Sequence, residues 1–194
     1  MKTFKLGDVC NLIGGGTPSK SNSDYYDGDI PWATVRDMAF HELTFTQHRI
    51  TQSGLENSSA NLIPKDNIII ASRVGLGKVC IIKQNTAINQ DLRAIIPKKE
   101  NEVDIKYLFY WFKTVANQII KAGRGATVQG VKLPFLSSLL LPLPTFAKQQ
   151  SLVAKLDSAH DKFEIANEAI SNSKMNYLAL KSAILAQELQ SEAE

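Results

Sequence analysis

The sequence predicts a mixed α/β (α+β) globular domain over residues 1–145, followed by one long coiled-coil-forming α-helix over residues 146–194. Short apolar runs bounded by turn-forming residues are spread through the first part, as is typical of strands and short helices. The second part contains no glycine and no proline, and its apolar residues recur at alternating steps of four and three. A Leu-Pro-Leu-Pro segment, residues 141–144, separates the two parts because proline cannot continue a helix.

The long helix is predicted from Phe146 to Gln190, with Thr145 as its N-cap. An a/d seam of about five heptads would make a rod of roughly 65 Å, too long for one element of a compact domain this size. We therefore expect the seam to pack on a helix of another chain, and the alternative is that the helix folds back on its own domain. The predicted interface residues are Leu152, Leu156, Ala159, Phe163, Ala166, Ile170, Ser173, Tyr177, Leu180 and Ile184.

Composition and charge narrow the class of protein. The chain is 44% hydrophobic, enough for one globular core, and residues 1–145 carry a formal charge of +5 against −2 for residues 146–194. A modestly basic domain favours a polyanion only weakly. Cys10 and Cys80 lack metal-ligand spacing and are predicted to be buried free thiols. With no apolar leader and no run long enough to cross a membrane, we expect a cytoplasmic protein.

The first third of the chain contains two candidate contact segments. Residues 4–13 form a short helix or strand, and residues 14–20 form a glycine-rich loop that ends in Lys20. The loop lacks the spacing of a Walker A motif, so it either lies against another kind of phosphate or is a plain surface loop. A strand is expected from Ile30 to Asp37. The terminal pair Arg36 and Asp37 either reads base edges or forms a surface ion pair.

The central part is predicted to contain a short helix and loop over residues 50–62, then a buried strand over residues 67–72 that turns through two glycines into a second strand, residues 79–82. A third apolar run covers residues 87–97 and carries Asn89, Gln90 and Arg93. Such amide and guanidinium side chains match the major-groove edges of adenine and guanine, although they are also common on protein surfaces.

The last part of the domain begins with a helix capped by Asp104, with Gly123 in the position of a C-cap glycine. The glycine-rich, basic segment of residues 123–132 either makes backbone and base contacts or is an ordered crossing loop. Residues 139–144 are predicted to be a strand.

Catalysis is not indicated. His41, His48 and His160 have no metal-ligand spacing, and no nucleophile elbow, dinucleotide fingerprint or Walker A motif is present. We predict no catalytic residue, no metal and no cofactor, and these observations favour a binding module.

Five segments together resemble the specificity subunit of Type I restriction-modification systems, in the family's order and approximate spacing. They are Leu6–Val9 running into Gly15–Ser19; Gly28–Trp32 with Arg36 and Asp37; Ala71–Arg73 with Gly77–Val79; Asn89 with Gln90; and Leu141–Pro144 followed by Gln149 and Gln150.

The resemblance implies a non-catalytic target recognition domain that binds double-stranded DNA beside a methyltransferase (modification) subunit and a restriction subunit. In that family one polypeptide usually holds two such domains, spaced by an antiparallel pair of long helices. This sequence resembles half of that arrangement. The resemblance therefore implies either a homodimer on a symmetric interrupted site or pairing with a different half-subunit.

The implied DNA contacts fall into two groups. Phosphate contacts are expected from Lys20, Arg73, Lys78, Arg124 and Lys132. Base readers are expected among Thr34, Arg36, Asp37, Asn89, Gln90, Arg93, Thr127 and Gln129. One competing hypothesis is a protein-interaction adaptor that docks a methyltransferase through the long helix and binds DNA only weakly. Another is a small-molecule enzyme that uses the glycine loops.

Overall fold

A computed structural model describes residues 2–124 and 130–191, and it describes the side chains of these residues except 124 and 188–191. The chain divides into two compact units, residues 1–150 and residues 151–194.

Eleven strands are present in the described residues. They are β1 (Lys2–Lys5), β2 (Cys10–Gly14), β3 (Tyr26–Ala33), β4 (Glu42–Leu43), β5 (His48–Ile50), β6 (Asn61–Ile63), β7 (Ile68–Ala71), β8 (Val79–Ile82), β9 (Thr86–Ile88), β10 (Leu92–Pro97) and β11 (Leu140–Leu143). The α-helices are α1 (Leu6–Val9), α2 (Gln52–Glu56), α3 (Ile105–Arg124), α4 (Leu133–Ser138) and α5 (Phe146–Ser191). Two 3₁₀-helices cover Ser23–Tyr25 and Val35–Asp37.

The central sheet has five strands in the order β2-β10-β7-β8-β4, with only the β4–β8 pair parallel. All four residues of β7 are buried. Ile68 and Ile70 pack in the core that contains α3, whereas Ile69 and Ala71 pack in a second core shared with the other sheet. A strand covered on both faces needs apolar residues at every position, which explains the unbroken Ile-Ile-Ile-Ala run.

A second sheet has four strands in the order β5-β3-β9-β6, and a bulge interrupts the β3–β5 pairing between Tyr26 and Ile30. Its own apolar cluster includes Trp32, Ile50 and Ala87. A third, two-stranded sheet pairs β1 with β11 in antiparallel register. The segment predicted as helix or strand at residues 4–13 thus contains the end of β1, the short helix α1 and most of β2.

Two strand predictions were wrong in their extent. The strand expected to reach Asp37 ends at Ala33, because Thr34 caps a 3₁₀-helix there. The single run expected over residues 87–97 consists of β9 and β10, which belong to different sheets. Residues 89–91 therefore cross from one sheet to the other. The buried strands β7 and β8, which pair in antiparallel register, confirm the predicted hairpin.

Helix α3 begins as predicted, since the Tyr107 amide donates to Asp104 Oδ1 at 2.8 Å. The predicted C-cap was wrong: α3 continues through Gly123 to Arg124. A Cβ atom at Gly123 would collide with Leu76 Cδ1. The glycine therefore lets the Leu76 side chain of the β7–β8 turn pack directly against the helix.

The predicted long helix is confirmed as the 46-residue α5. The Thr145 carbonyl accepts hydrogen bonds from the Lys148 and Gln149 amides at its start. Gln149 is fully buried, and its side-chain amide contacts three backbone groups: it accepts from the Asp104 amide at 2.8 Å and donates to the Glu102 and Pro144 carbonyls at 2.9 and 3.0 Å. Among the described helices, none is long and apolar enough to span a membrane.

Candidate nucleic-acid interface

A cleft of about 800 Å³ lies where β3 and β9 leave the four-stranded sheet of the first unit. It is lined by Gly16, Thr17, Lys20, Tyr26, Trp32, Thr34, Val35, Arg36, His48, Ser59, Val74, Asn89, Gln90 and Asp91. The residues come from five separate stretches of the chain, 16–36, 48, 59, 74 and 89–91, so the cleft exists only in the folded domain.

The glycine-rich loop forms one wall of the cleft by close backbone approach. The Gly16 amide donates to the Ile88 carbonyl at 2.9 Å. A Cβ atom at Gly15 would collide with the carbonyl oxygens of Ile88 and Asn89. These glycines therefore allow the loop to lie against the end of β9, which explains the motif without a phosphate ligand.

Two aromatic side chains hold this loop in place. Trp32 Nε1 donates to the Gly16 carbonyl at 3.1 Å, and the Tyr26 hydroxyl donates to the Pro18 carbonyl at 2.6 Å. Burial raises the pKa of Tyr26, so its hydroxyl stays protonated as a donor. The rings of Trp32 and Tyr26 meet edge to face at 6.3 Å, and His48 lies 6.4 Å from Trp32. The aromatic content of the cleft was missed, although the aromatic spacing in β3 was a usable signal.

The segment after β3 separates a structural carboxylate from an exposed cation. Asp37 Oδ2 accepts from the Thr34 amide at 2.7 Å and from its hydroxyl at 2.9 Å. Asp37 Oδ1 accepts from the Gln47 amide at 2.7 Å. No ion pair joins Arg36 to Asp37 among the described residues, and Arg36 is exposed at the edge of the cleft. Asp37 holds the turn that presents Arg36.

The crossing between β9 and β10 also contains one structural polar side chain and one exposed polar side chain. Asn89 is only 6% exposed, its Oδ1 accepts from the Asp91 amide at 3.1 Å, and its Nδ2 donates to Asp91 Oδ2 at 3.3 Å. Gln90 is exposed, and its Oε1 accepts a hydrogen bond from the Thr17 hydroxyl. Asn89 thus shapes the turn, whereas Gln90 is presented to the cleft.

The remaining predicted contact residues are more dispersed. Arg73 and Lys78 are exposed on the β7–β8 turn, which is made possible by positive φ angles at Gly75 and Gly77. Arg93 lies within β10, where its Nη1 donates to the Leu92 carbonyl at 3.0 Å, and Lys132 is exposed just before α4. Neither lines the cleft. Thr127 and Gln129 lie outside the described residues, as does the side chain of Arg124.

The side chains that line the cleft suit the binding of a polar, charged ligand. It combines exposed cations, hydroxyl groups and an amide with an aromatic wall, a set that suits phosphate and base-edge contacts. Within the described part of the chain, no group of three or more His, Cys, Asp or Glu residues could hold a metal ion. Cys10 and Cys80 are buried free thiols, and burial raises the pKa of each to about 12, which makes them inert at neutral pH.

Comparison with known proteins identifies one family. A model of the Type I restriction modification DNA specificity domain matches residues 1–175. A specificity subunit of a Type I restriction enzyme from Methanocaldococcus jannaschii is 32% identical over 91% of this chain. The EcoR124I/EcoR124II specificity subunit from Escherichia coli is 31% identical over 85% of this chain. The chain spans 41% of the length of each of these two relatives.

Solved structures share the fold. A chain from a structural study of assembly and conformational transition in the type I R-M system superimposes with a TM-score of 0.77 at 21% identity, covering 95% of this chain and 44% of that one. The HsdS subunit from Thermoanaerobacter tengcongensis gives a TM-score of 0.69 at 20% identity, covering 87% of this chain and 39% of that one. Both comparisons agree with an α/β domain followed by a long helix.

Proposed function

The chain belongs to the family of Type I restriction-modification DNA specificity domains, and we propose that it is the DNA-reading part of such a system. In this proposal the first unit recognises one half of an interrupted bipartite site. The module itself performs no chemistry, and it directs a methyltransferase subunit and a restriction subunit to that site.

The observation that carries the proposal is the division of polar side chains around the cleft. Asp37 and Asn89 make hydrogen bonds within the domain and stabilise their turns. Arg36, Gln90 and Lys20 lie beside them with their side chains exposed. Holding the exposed groups on short capped turns lowers the entropy lost when they contact DNA. We assign Arg36 and Gln90 as candidate base readers, Thr34 as a weaker one, and Lys20 as a phosphate contact.

The outlying cations complete the proposed interface. Lys78 and Lys132 are exposed, and each would contact phosphates without regard to sequence. Arg93 is less suited to base reading because its guanidinium already donates within β10. Arg124, Thr127 and Gln129 stay candidates from the sequence alone.

The test first selects the preferred duplex from a random pool and then measures binding at several salt concentrations. Lys132→Glu should weaken binding to all duplexes alike and flatten the salt dependence. Arg36→Ala should relax the preference at one position of the site, by about 1–3 kcal/mol. Failure of the protein to bind any duplex, alone or with its methyltransferase, would contradict the proposal.

We further propose that two copies pair through α5 as an antiparallel homodimer. The helix exposes most of the predicted seam: Leu156, Phe163, Ile170, Tyr177, Leu180 and Ile184 are 43–67% exposed in the isolated chain. Antiparallel pairing about a centre near Ala166–Ile170 would place one recognition unit at each end, so that the helix length sets the gap between half-sites.

Solution mass and cross-linking test this arrangement. An Ala166→Cys, Ile170→Cys double variant should form disulfides between residue 166 of one copy and residue 170 of its partner. A parallel, in-register dimer would instead join identical positions, and it would contradict the spacing role of α5. A monomer at micromolar concentration would instead favour pairing with a different half-subunit.

A second candidate function is an adaptor that docks a methyltransferase through α5 and binds DNA weakly. Apolar residues outside the seam favour it, since Ile165, Met175, Leu178 and Leu185 are 51–68% exposed. Met175→Asp with Leu178→Asp should abolish methyltransferase binding under this reading. The two functions are separated by the DNA affinity of the protein without its partner, which the adaptor reading expects to be weak and independent of sequence.

A further inference from the structure

We propose that Arg73 is a specificity-determining residue that reads a guanine, and that Asp91 is the residue that positions it. The inference rests on the proposed DNA-binding function and deepens it. It also changes the expected role of Arg73, which the sequence places among the phosphate contacts.

The turn that carries Arg73 is tied to the wall of the cleft by the backbone of Asp91. The Asp91 carbonyl accepts from the Ser72 amide at 2.8 Å and from the Ser72 hydroxyl at 3.0 Å. The Asp91 carboxylate is itself oriented by Asn89, whose buried amide contacts Oδ2. The carboxylate is therefore held by the fold before any ligand binds.

Arg73 forms an ion pair with this carboxylate through its Nε atom. Arg73 Nε lies 3.8 Å from Asp91 Oδ1, and the two side chains are 49% and 21% exposed. An acceptor on the Nε side orients the planar guanidinium and leaves its two terminal nitrogens directed elsewhere. A fork held in this way matches the O6 and N7 acceptors of guanine in the major groove.

A second segment of the chain lies beside the aliphatic part of the same side chain. The Val131 amide donates to the Ser72 carbonyl at 2.7 Å, which brings Gly130 against the turn. A Cβ atom at Gly130 would lie 3.1 Å from Arg73 Cγ, and Gly130 has a φ of +145° that other residues rarely adopt. The backbone of Gly130 thus lies beside the stem of Arg73, and the head group of Arg73 is paired with Asp91.

Neighbouring residues place this pair at the proposed interface. Val74, next to Arg73, lines the cleft together with Asp91 and Gln90. Lys78 lies on the same turn and is exposed, but no ion pair involving it occurs among the described residues. Lys78 is therefore the matched comparison: a cation on the same turn without a positioning carboxylate.

The experiment measures competition binding of the full chain to a panel of duplexes in which each base pair of the preferred site is replaced in turn. Arg73→Ala and Arg73→Lys should each remove a preference of about 10–100-fold for G·C at one position and leave the other positions unchanged. Lys78→Ala should weaken binding to every duplex and reduce the slope of log affinity against log salt by about one.

Asp91→Asn is the discriminating variant because it keeps the shape and most hydrogen bonds of the side chain. It should lower the preference at the same base pair as Arg73→Ala, while affinity for random DNA stays equal or rises because a negative charge is removed. A merely structural role would instead weaken all binding and lower the unfolding temperature. If Asp91→Asn fails to fold, Arg73→Lys tests the same positioning, because it keeps the positive charge and loses the planar fork that Asp91 orients.

Equal weakening of all duplexes by Arg73→Ala, with a lower salt slope, would overturn the inference and return Arg73 to the phosphate contacts. A wild-type protein that selects a sequence but shows no position dependent on Arg73 would also overturn it and leave the proposed function intact. A wild-type protein that binds no duplex would overturn both.

Discussion

The two units of this protein differ in how far their apolar residues are buried. In the first unit, β7 buries all four of its residues and Phe112 of α3 is 1% exposed. In α5, Phe163 and Ile170 are 60% and 67% exposed although they are just as apolar. The first unit buries its own apolar residues, whereas α5 leaves apolar residues exposed that the proposed dimer would cover.

The core of the first unit should give the largest effect. Phe112→Ala should lower the free energy of unfolding by about 3–5 kcal/mol, because it removes a buried ring and leaves a cavity. Urea unfolding followed by fluorescence measures the change. Phe40→Ala is the matched control, since Phe40 is 81% exposed and its loss should cost less than about 0.5 kcal/mol. Similar losses in the two variants would contradict the described packing.

A charge placed in the seam of α5 should weaken association of the two copies, whereas the core variant weakens folding. Ile170→Glu should raise the dimer dissociation constant by at least about 100-fold, because each dimer would bury two unpaired carboxylates. Sedimentation equilibrium measures it, and Asn172→Glu, off the predicted seam, serves as the control. If both variants stayed dimeric, or if only the control dissociated, the proposed pairing through the predicted seam would be wrong.

The start of α5 belongs to the first unit, and there the buried side chain of Gln149 contributes to folding as the core does. Gln149→Ala should lower the free energy of unfolding by about 1–3 kcal/mol, because it leaves the Asp104 amide and the Glu102 and Pro144 carbonyls without their partner. The exposed neighbour Gln150 gives the control Gln150→Ala, which should unfold like the wild type. An unchanged denaturation midpoint for Gln149→Ala would show that water replaces the amide.

The exposed ion pair between Lys83 and Asp66 in the first unit should give the smallest effect. Lys83 Nζ lies 2.9 Å from Asp66 Oδ1, and this hydrogen bond lowers the pKa of Asp66 from 3.8 and raises that of Lys83 from 10.5. The pair therefore contributes between these values. Its contribution is lost as the pH falls below 3.8 through the folded pKa of Asp66, or rises above 10.5 through that of Lys83.

Because both groups are exposed, Lys83→Met should leave the unfolding midpoint at pH 7 within measurement error. Chemical denaturation at pH 7 and pH 2.5 tests this expectation. A clear loss of stability at pH 7 would show that Lys83 also supports packing through its aliphatic stem.

Patterns that depend on neighbours in sequence were read correctly. The heptad spacing predicted α5, the Ile-rich run predicted β7, and Asp104 predicted the start of α3. Predictions failed where a distant segment determines local structure. Thr34 begins a 3₁₀-helix instead of extending β3, in part because Asp37 is held by the Gln47 amide, ten residues away.

The candidate site was predictable in its residue types and only partly in its membership. Lys20, Thr34, Arg36, Asn89 and Gln90 line one cleft, and their contact with DNA stays a prediction. The aromatic wall was missed because Tyr26 and Trp32 have the sequence pattern of ordinary strand residues. Only the structure shows that both donate hydrogen bonds to the glycine-rich loop. Asp91 was missed because its partner Arg73 lies on a turn of a different strand pair.

By itself, the sequence determined the elements whose stability follows from local patterns: the long helix, the doubly buried strand and the glycine turns. Only the tertiary structure decided which polar side chains make hydrogen bonds within the domain and which are exposed at the cleft. The Thr17–Gln90 and Arg73–Asp91 contacts join segments far apart in the chain, and such contacts depend on how two sheets pack. Burial and hydrogen-bond partners separate Asn89 from Gln90 and Asp37 from Arg36, a distinction that residue type cannot make.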